Sequence, residues 1–216
     1  ATLSSGLVWS SCSPDFGVDS AVDRFKQIEP AVLIAVTGYS YGGRVYDRRV
    51  EVAALVRQIP SIKAIIWIDS HELGVSESLS VPSYIWKDLI RTGLPYPKFV
   101  RVPFGHPIWV LYSSGTTGLP KPIVHGHGGM LLEHLKYLVL HNDVRVGERF
   151  FWYSTTGWMM WNFVHGSLLA GATAVLYDGS PAFPDLSFLW KIAETFGIHH
   201  FGTSAPFLVA CMKQGL

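Results

Sequence analysis

The sequence predicts an α/β fold, with a largely parallel sheet or sheets and flanking helices. Short apolar runs of strand length recur along the chain, and stretches with 3.6-residue apolar periodicity lie between them. A third observation is that Phe150 to Tyr177 contains no Asp, Glu, Lys or Arg. An uncharged stretch of that length, broken by Ser, Thr, Gly, Asn and His, reads as a buried strand, helix and strand rather than a membrane span.

Taken in order, ATLSSGLVWSS reads as the end of a helix running into a strand. Val18, Ala21, Val22, Phe25 and Ile28 share one helical face. Ala31 to Val36 and Ile62 to Ile68 are strands, with YGGR (residues 41–44) a turn that opens a helix running to Ile59. The polar run DSHELGVSESLSVPS, from Asp69, leaves the sheet or marks a seam between two sub-lobes near 69–106. Ile108 to Tyr112 and Ile123 to His125 are strands, followed by a helix after HGHGG. Ala172 to Tyr177 and a weaker Ile198 to Phe201 complete the strands; Leu186, Leu189, Trp190, Ala193 and Phe196 mark a helix, and a last helix begins near Ala205. Both ends read as mid-fold, so residues 1–216 read as part of a larger domain.

The 17 basic and 16 acidic residues leave a net charge of +1, which offers no electrostatic case for nucleic acid or an anionic membrane surface. Any anionic ligand must be held locally. Cys12 and Cys211, far apart and without metal-ligand spacing, suit a reducing, cytoplasmic setting. His125 and His127 alternate as a strand-borne metal pair would, but no carboxylate or further histidine at suitable spacing joins them, so no metal site is assigned.

One stretch carries chemistry. SSGTTGLPK, from Ser113 to Lys121, follows a buried strand. Gly115 and Gly118 free the backbone to turn several amides toward one anion. The hydroxyls of Ser113, Ser114, Thr116 and Thr117 add donors, and Lys121 adds a mobile charge. At the carboxyl end of a strand this is a place for phosphates. The stretch fits neither GxxxxGK[ST] nor GxGxxG, because Lys121 stands between Pro120 and Pro122. Those prolines disfavour an immediate helix and predict a turn between two strands. The other reading of the same residues is a hydroxyl-rich hairpin turn with an incidental lysine.

SSGTTGLPK resembles the phosphate-binding signature of the adenylate-forming superfamily, which includes acyl-CoA synthetases, firefly luciferase and peptide-synthetase adenylation domains. VWSSCSPDFGVDSAVDRFKQIEP, HGHGGMLLEHLKYLVLH, TTGWMMWNF and GATAVLYDGSP resemble its acetoacetate-activating branch. The resemblance implies an acid-CoA ligase: ATP and acetoacetate or another short-chain acid form an acyl-adenylate, with Mg2+, and CoA then displaces AMP. It implies that Ser113, Ser114, Gly115, Thr116, Thr117, Gly118 and Lys121 hold ATP phosphates, with Lys121 acting in catalysis. Trp158, Met159 and Met160 would border the acid's carbon chain; ordinary core packing is the alternative for either methionine, and Trp161 is expected in the core. Gly42, Gly43 and Arg44 would contact CoA, although Tyr41 stands where acetyl-CoA synthetases carry a second arginine; a plain surface turn is the alternative there. Residues 1–216 then correspond to part of the large N-terminal domain. The adenine-stacking segment, the ribose-binding aspartate and the C-terminal lid with its lysine belong to later parts of a family member. On that reading this chain alone is an inactive or merely nucleotide-binding piece, prone to self-association through its uncovered faces.

Overall fold

A computed structural model describes residues 1–75, 79–91, 99–113 and 118–216. The chain divides into two compact units, one of Ala1–Ser40, Arg44–Arg101 and Val110–Val124, the other of Tyr41–Gly43, Val102–Trp109 and His125–Leu216.

In the first unit a short 3-10 turn, Leu3–Ser5, leads into β1 (Trp9–Ser10). Helix α1 (Val18–Phe25) buries Ala21, Val22 and Phe25, the face its periodicity marks. Strand β2 (Val32–Val36) follows, then a hairpin of β3 (Gly38–Tyr41) and β4 (Arg44–Asp47), then α2 (Arg49–Gln58). The helix toward Ile59 thus starts five residues after Arg44, because a strand pair occupies the segment first read as its opening turn. Strands β5 (Ala64–Ile68) and β6 (Ser83–Ile85) run parallel to β2 in the order β2-β5-β6, and α3 (Trp86–Arg91) comes next. Ile65 and Trp67 of β5 are fully buried and pack with Val22 and Phe25 of α1 and Leu55 and Val56 of α2. A second sheet has the order β1-β7-β8, with β7 at Pro107–Ser113 and β8 at Lys121–Gly126. The chain beyond the two prolines therefore continues as a strand.

In the second unit α4 (His127–Leu135) runs into a π-helical turn, Lys136–His141. Strand β9 (Arg149–Trp152) is central in a wholly parallel sheet of order β10-β9-β11, with β10 at Thr173–Val175 and β11 at His200–Gly202. Helices α5 (Met159–Gly166), α6 (Phe188–Thr195) and α7 (Ala205–Lys213) cover it. Successive strand residues face opposite ways. Phe150 packs with Leu138, Phe163 and Val164 on one face, and Phe151 with Leu189, Phe207 and Cys211 on the other. Burial on both faces explains why the sequence from Phe150 carries no charge. No described helix is long and apolar enough to cross a membrane.

This unit also buries imidazoles. His134 is 3% exposed, and its ring meets Trp109 at 5.8 Å and Phe163 at 5.9 Å. Burial holds the proton affinity of His134, His125 and His165 below that of a free imidazole. Protons then bind the unfolded chain first, at its ordinary histidine value of about 6.5. Stability is complete above that pH and falls as the pH drops through it toward the lower folded values. The urea midpoint should fall between pH 7.5 and 5.5, above the range where carboxylates titrate, and His134→Gln should lessen the fall; an equal fall in that variant would refute the assignment.

Candidate functional site

The SSGTTGLPK segment lies between two neighbouring strands, whose facing parts, Val110–Ser113 and Lys121–Val124, belong to the first unit. Ser113 is the last residue of β7 and Lys121 the first of β8, and both are exposed. Ser114, Gly115, Thr116 and Thr117 lie outside the described residues. Gly118 is exposed, with open space where a Cβ would stand. The stems on either side are fastened near the carboxyl end of α1. The Tyr112 hydroxyl donates to the Arg24 carbonyl at 2.9 Å, and the Gln27 amide donates to the Pro120 carbonyl at 2.8 Å. The Arg24 guanidinium lies over the Phe16 ring at 4.8 Å and the Tyr112 ring at 5.9 Å. Burial pushes the Tyr112 phenol up to about 12, so it remains a donor at neutral pH. Burial likewise raises the Cys12 thiol to about 11, which keeps it unreactive.

Arg24, Gln27 and Tyr112 were not singled out in the sequence. Nothing in a local pattern ties positions 88 residues apart, and only the fold brings Tyr112 to Arg24.

The second unit offers the carboxyl ends of three parallel strands, where open α/β sheets bind ligands. Ser154 to Gly157 follow β9, YDGSP follows β10, and Thr203 and Ser204 follow β11. The YDGSP segment is held by two phenols, Tyr153 donating to the Gly179 carbonyl at 2.9 Å and Tyr177 to the Ser180 carbonyl at 3.0 Å. Trp158 caps the start of α5, its N–H donating to the Thr155 carbonyl at 3.2 Å. Trp158 and Met159 are 64% and 54% exposed, so both are free to line a ligand, whereas Met160 packs against the cluster of Leu138, Phe150 and Phe163. Trp161 is half-buried rather than in the core, its ring edge-on to His165 at 4.6 Å.

YGGR forms the tip of the β3–β4 hairpin. Gly42 and Gly43 have φ of 56° and 77°, the two positive values that a type I′ turn requires. A Cβ on Gly43 would stand 2.6 Å from Cζ of Phe183, while one on Gly42 would meet nothing within 4 Å. Gly43→Ala should therefore cost somewhat more stability than Gly42→Ala, about 1.5 against about 1 kcal/mol, since the half-exposed Phe183 ring can give way in part. Equal melting temperatures for the two variants would refute the Phe183 contact. Arg44 is exposed and has no salt bridge among the described residues.

His125 lies beside Trp109, and His127 lies 5.8 Å from His106. Among the described residues, no group of three or more His, Cys, Asp or Glu could hold a metal ion.

Comparison with known proteins gives this geometry a family. An acetoacetyl-CoA synthetase structure from Streptomyces lividans aligns with a TM-score of 0.92 at 52% identity, over 100% of this chain and 32% of that one. The acetoacetyl-coenzyme A synthetase of Rhizobium meliloti is 43% identical over 218 residues, 100% of this chain and 33% of that protein. The acetoacetyl-CoA synthetase of Danio rerio is 40% identical over 221 residues, 99% of this chain and 33% of that protein. The chain thus spans about a third of the length of the relatives it matches. The AMP-binding enzyme family matches it over residues 1–216, and the chain belongs to that family.

Proposed function

We propose that the full-length protein containing this chain is an ATP-dependent acid-CoA ligase acting on acetoacetate. Acetoacetate and ATP give acetoacetyl-AMP and pyrophosphate, and CoA then displaces AMP to give acetoacetyl-CoA. The observation that carries this reading is the strand–loop–strand of residues 107–126. It places the exposed Ser113 at the end of one strand and the exposed Lys121 at the start of the next, at either end of a hydroxyl-rich segment.

Attack of a carboxylate on the α-phosphate asks little covalent help of the protein. It asks that the leaving pyrophosphate be held in line and its charge balanced. Ser113, Ser114, Gly115, Thr116, Thr117 and Gly118 are assigned to the phosphates through hydroxyls and amides, and Lys121 supplies the positive charge. That donor set suits phosphate oxygens and contains no carboxylate, so it leaves Mg2+ to arrive with the nucleotide. When bound, Mg2+ supplies further charge neutralisation. Trp158 and Met159, exposed at the start of α5, and Met160, on the core side, are assigned to the wall beside the acid's carbon chain: an indole is flat and a thioether adapts to contour. Gly42, Gly43 and Arg44 are assigned to CoA, with Arg44 available for a phosphate. Two free and sheltered cysteines support a cytoplasmic setting.

The test is acetoacetate-dependent exchange of pyrophosphate into ATP by the full-length protein. Exchange with acetoacetate supports the assignment. Exchange with propionate or butyrate alone would move the substrate to another short-chain acid, and no exchange with any of them would overturn the reading. The 216-residue chain by itself is assigned no turnover.

A further inference from the structure

Two buried hydroxyls stand without a partner where the second unit's sheet ends. Oγ1 of Thr155 and Oγ1 of Thr203 are shielded from solvent and make no hydrogen bond among the described residues. They follow the ends of adjacent strands, β9 and β11. Trp152 of β9 is in register with Gly202 of β11, and the Tyr153 N–H donates to the Gly202 carbonyl at 2.9 Å. Thr203 follows at once on β11, and Thr155 lies three residues past Trp152.

Their serine neighbours are already engaged. The Ser154 hydroxyl donates to the Thr155 carbonyl at 3.2 Å, and the Ser204 hydroxyl accepts from the Phe207 N–H as the cap of α7. A buried hydroxyl left unpaired bears its desolvation penalty with nothing in return, so a partner from outside the described residues is favoured at each threonine. The site selects an acceptor. Each threonine precedes a helix start, α5 or α7, where the free N–H groups favour electron-rich oxygen. Thr155 is also bonded through its carbonyl to Trp158, the residue assigned to the acid's carbon chain.

We propose that the hydroxyls of Thr155 and Thr203 donate to the carbon-3 oxygen of the acid substrate and thereby select 3-oxo acids over unsubstituted acids of the same length. This rests on the ligase reading above. Acetoacetate and butyrate differ only in that oxygen, and shape alone separates such a pair weakly. A site built to hydrogen-bond the oxygen separates them strongly, because the analogue leaves buried hydroxyls unpaired.

The experiment uses the full-length protein with Thr155→Val, Thr203→Val and Thr155→Ser, and compares kcat/KM for acetoacetate and butyrate in pyrophosphate exchange. Each Val variant should lose at least about 10-fold with acetoacetate and less than about 3-fold with butyrate, and Thr155→Ser should retain most of the wild-type ratio. An unchanged ratio in both Val variants, or an equal fall for both acids, overturns the proposal. Should a Val variant fail to fold, Thr155→Ser decides: its hydroxyl must preserve the acetoacetate preference. Failure of the ligase reading looks different, since the unmodified protein would then exchange pyrophosphate with neither acid.

Discussion

Replacing Lys121 with Ala in the full-length protein should slow acetoacetate-dependent pyrophosphate exchange by about 10²–10³-fold. It should leave the unfolding midpoint almost untouched. Lys121 opens β8 with its side chain exposed, and no salt bridge among the described residues engages it. Removing such a side chain changes stability by less than about 0.5 kcal/mol. A loss of rate without a loss of stability would assign the effect to the charge that the proposal gives the lysine as pyrophosphate leaves. Lys121→Arg should recover only part of the rate, because a planar fork does not reproduce a compact ammonium between two prolines. Turnover unchanged in Lys121→Ala would remove the lysine from the chemistry and reduce the loop to a polar turn.

The largest loss of stability should come from Gly166→Ala. Gly166 is the last residue of α5, and an added Cβ there would overlap the His134 ring, with Cγ only 2.8 Å away. Helix propensity favours the change by about 1 kcal/mol. Overpacking opposes it by about 1–3 kcal/mol, and more where the neighbour has no room to retreat. His134 has none, since it is 3% exposed beside Trp109 and Phe163, so the overlap wins and a net loss of about 2 kcal/mol is expected. Gly128 makes the useful contrast. Its added Cβ would strike Phe104, but that ring is 65% exposed and has solvent to swing into. Gly129→Ala, with nothing within 4 Å, should stabilise slightly through propensity alone. Denaturant unfolding of the Gly166 and Gly129 variants reads the difference, and a stabilised Gly166→Ala would show that the imidazole yields.

The alternation of strands and helices was legible because burial writes it into periodicity. The face of α1 and the cores of β5 and β7 lie where apolar spacing put them, whereas on α6 only Leu189 is buried, and Trp190 and, just past the helix end, Phe196 are exposed. The β3–β4 hairpin was not read, because Gly38 to Asp47 has little apolar alternation and is held by its two-glycine tip and the stacking of Tyr39 on Tyr46 at 5.2 Å. Of the proposed site, the residues assigned to phosphate were named from composition and resemblance, since hydroxyls, glycines and lysine sit together in sequence. The anchors Arg24 and Gln27 were not, because their partners, Tyr112 and Pro120, are remote in the chain. Thr155 and Thr203 were invisible for a further reason: an unpaired hydroxyl is a property of the packed interior, and the same residue type on a surface carries no such meaning.

The central strand of the second unit sets what kind of change its sequence tolerates. Phe150 and Phe151 sit side by side on β9 but serve different cores, one under α5 and the other against α6 and α7. Exchanging either for another large apolar residue keeps each core supplied. Inserting or deleting a single residue just before Arg149 would instead send each ring into the other's core and shift the register to both neighbouring strands at once. Relatives should therefore differ freely in the identity of residues here and almost never in their number, with length variation confined to the turns beyond the strand ends.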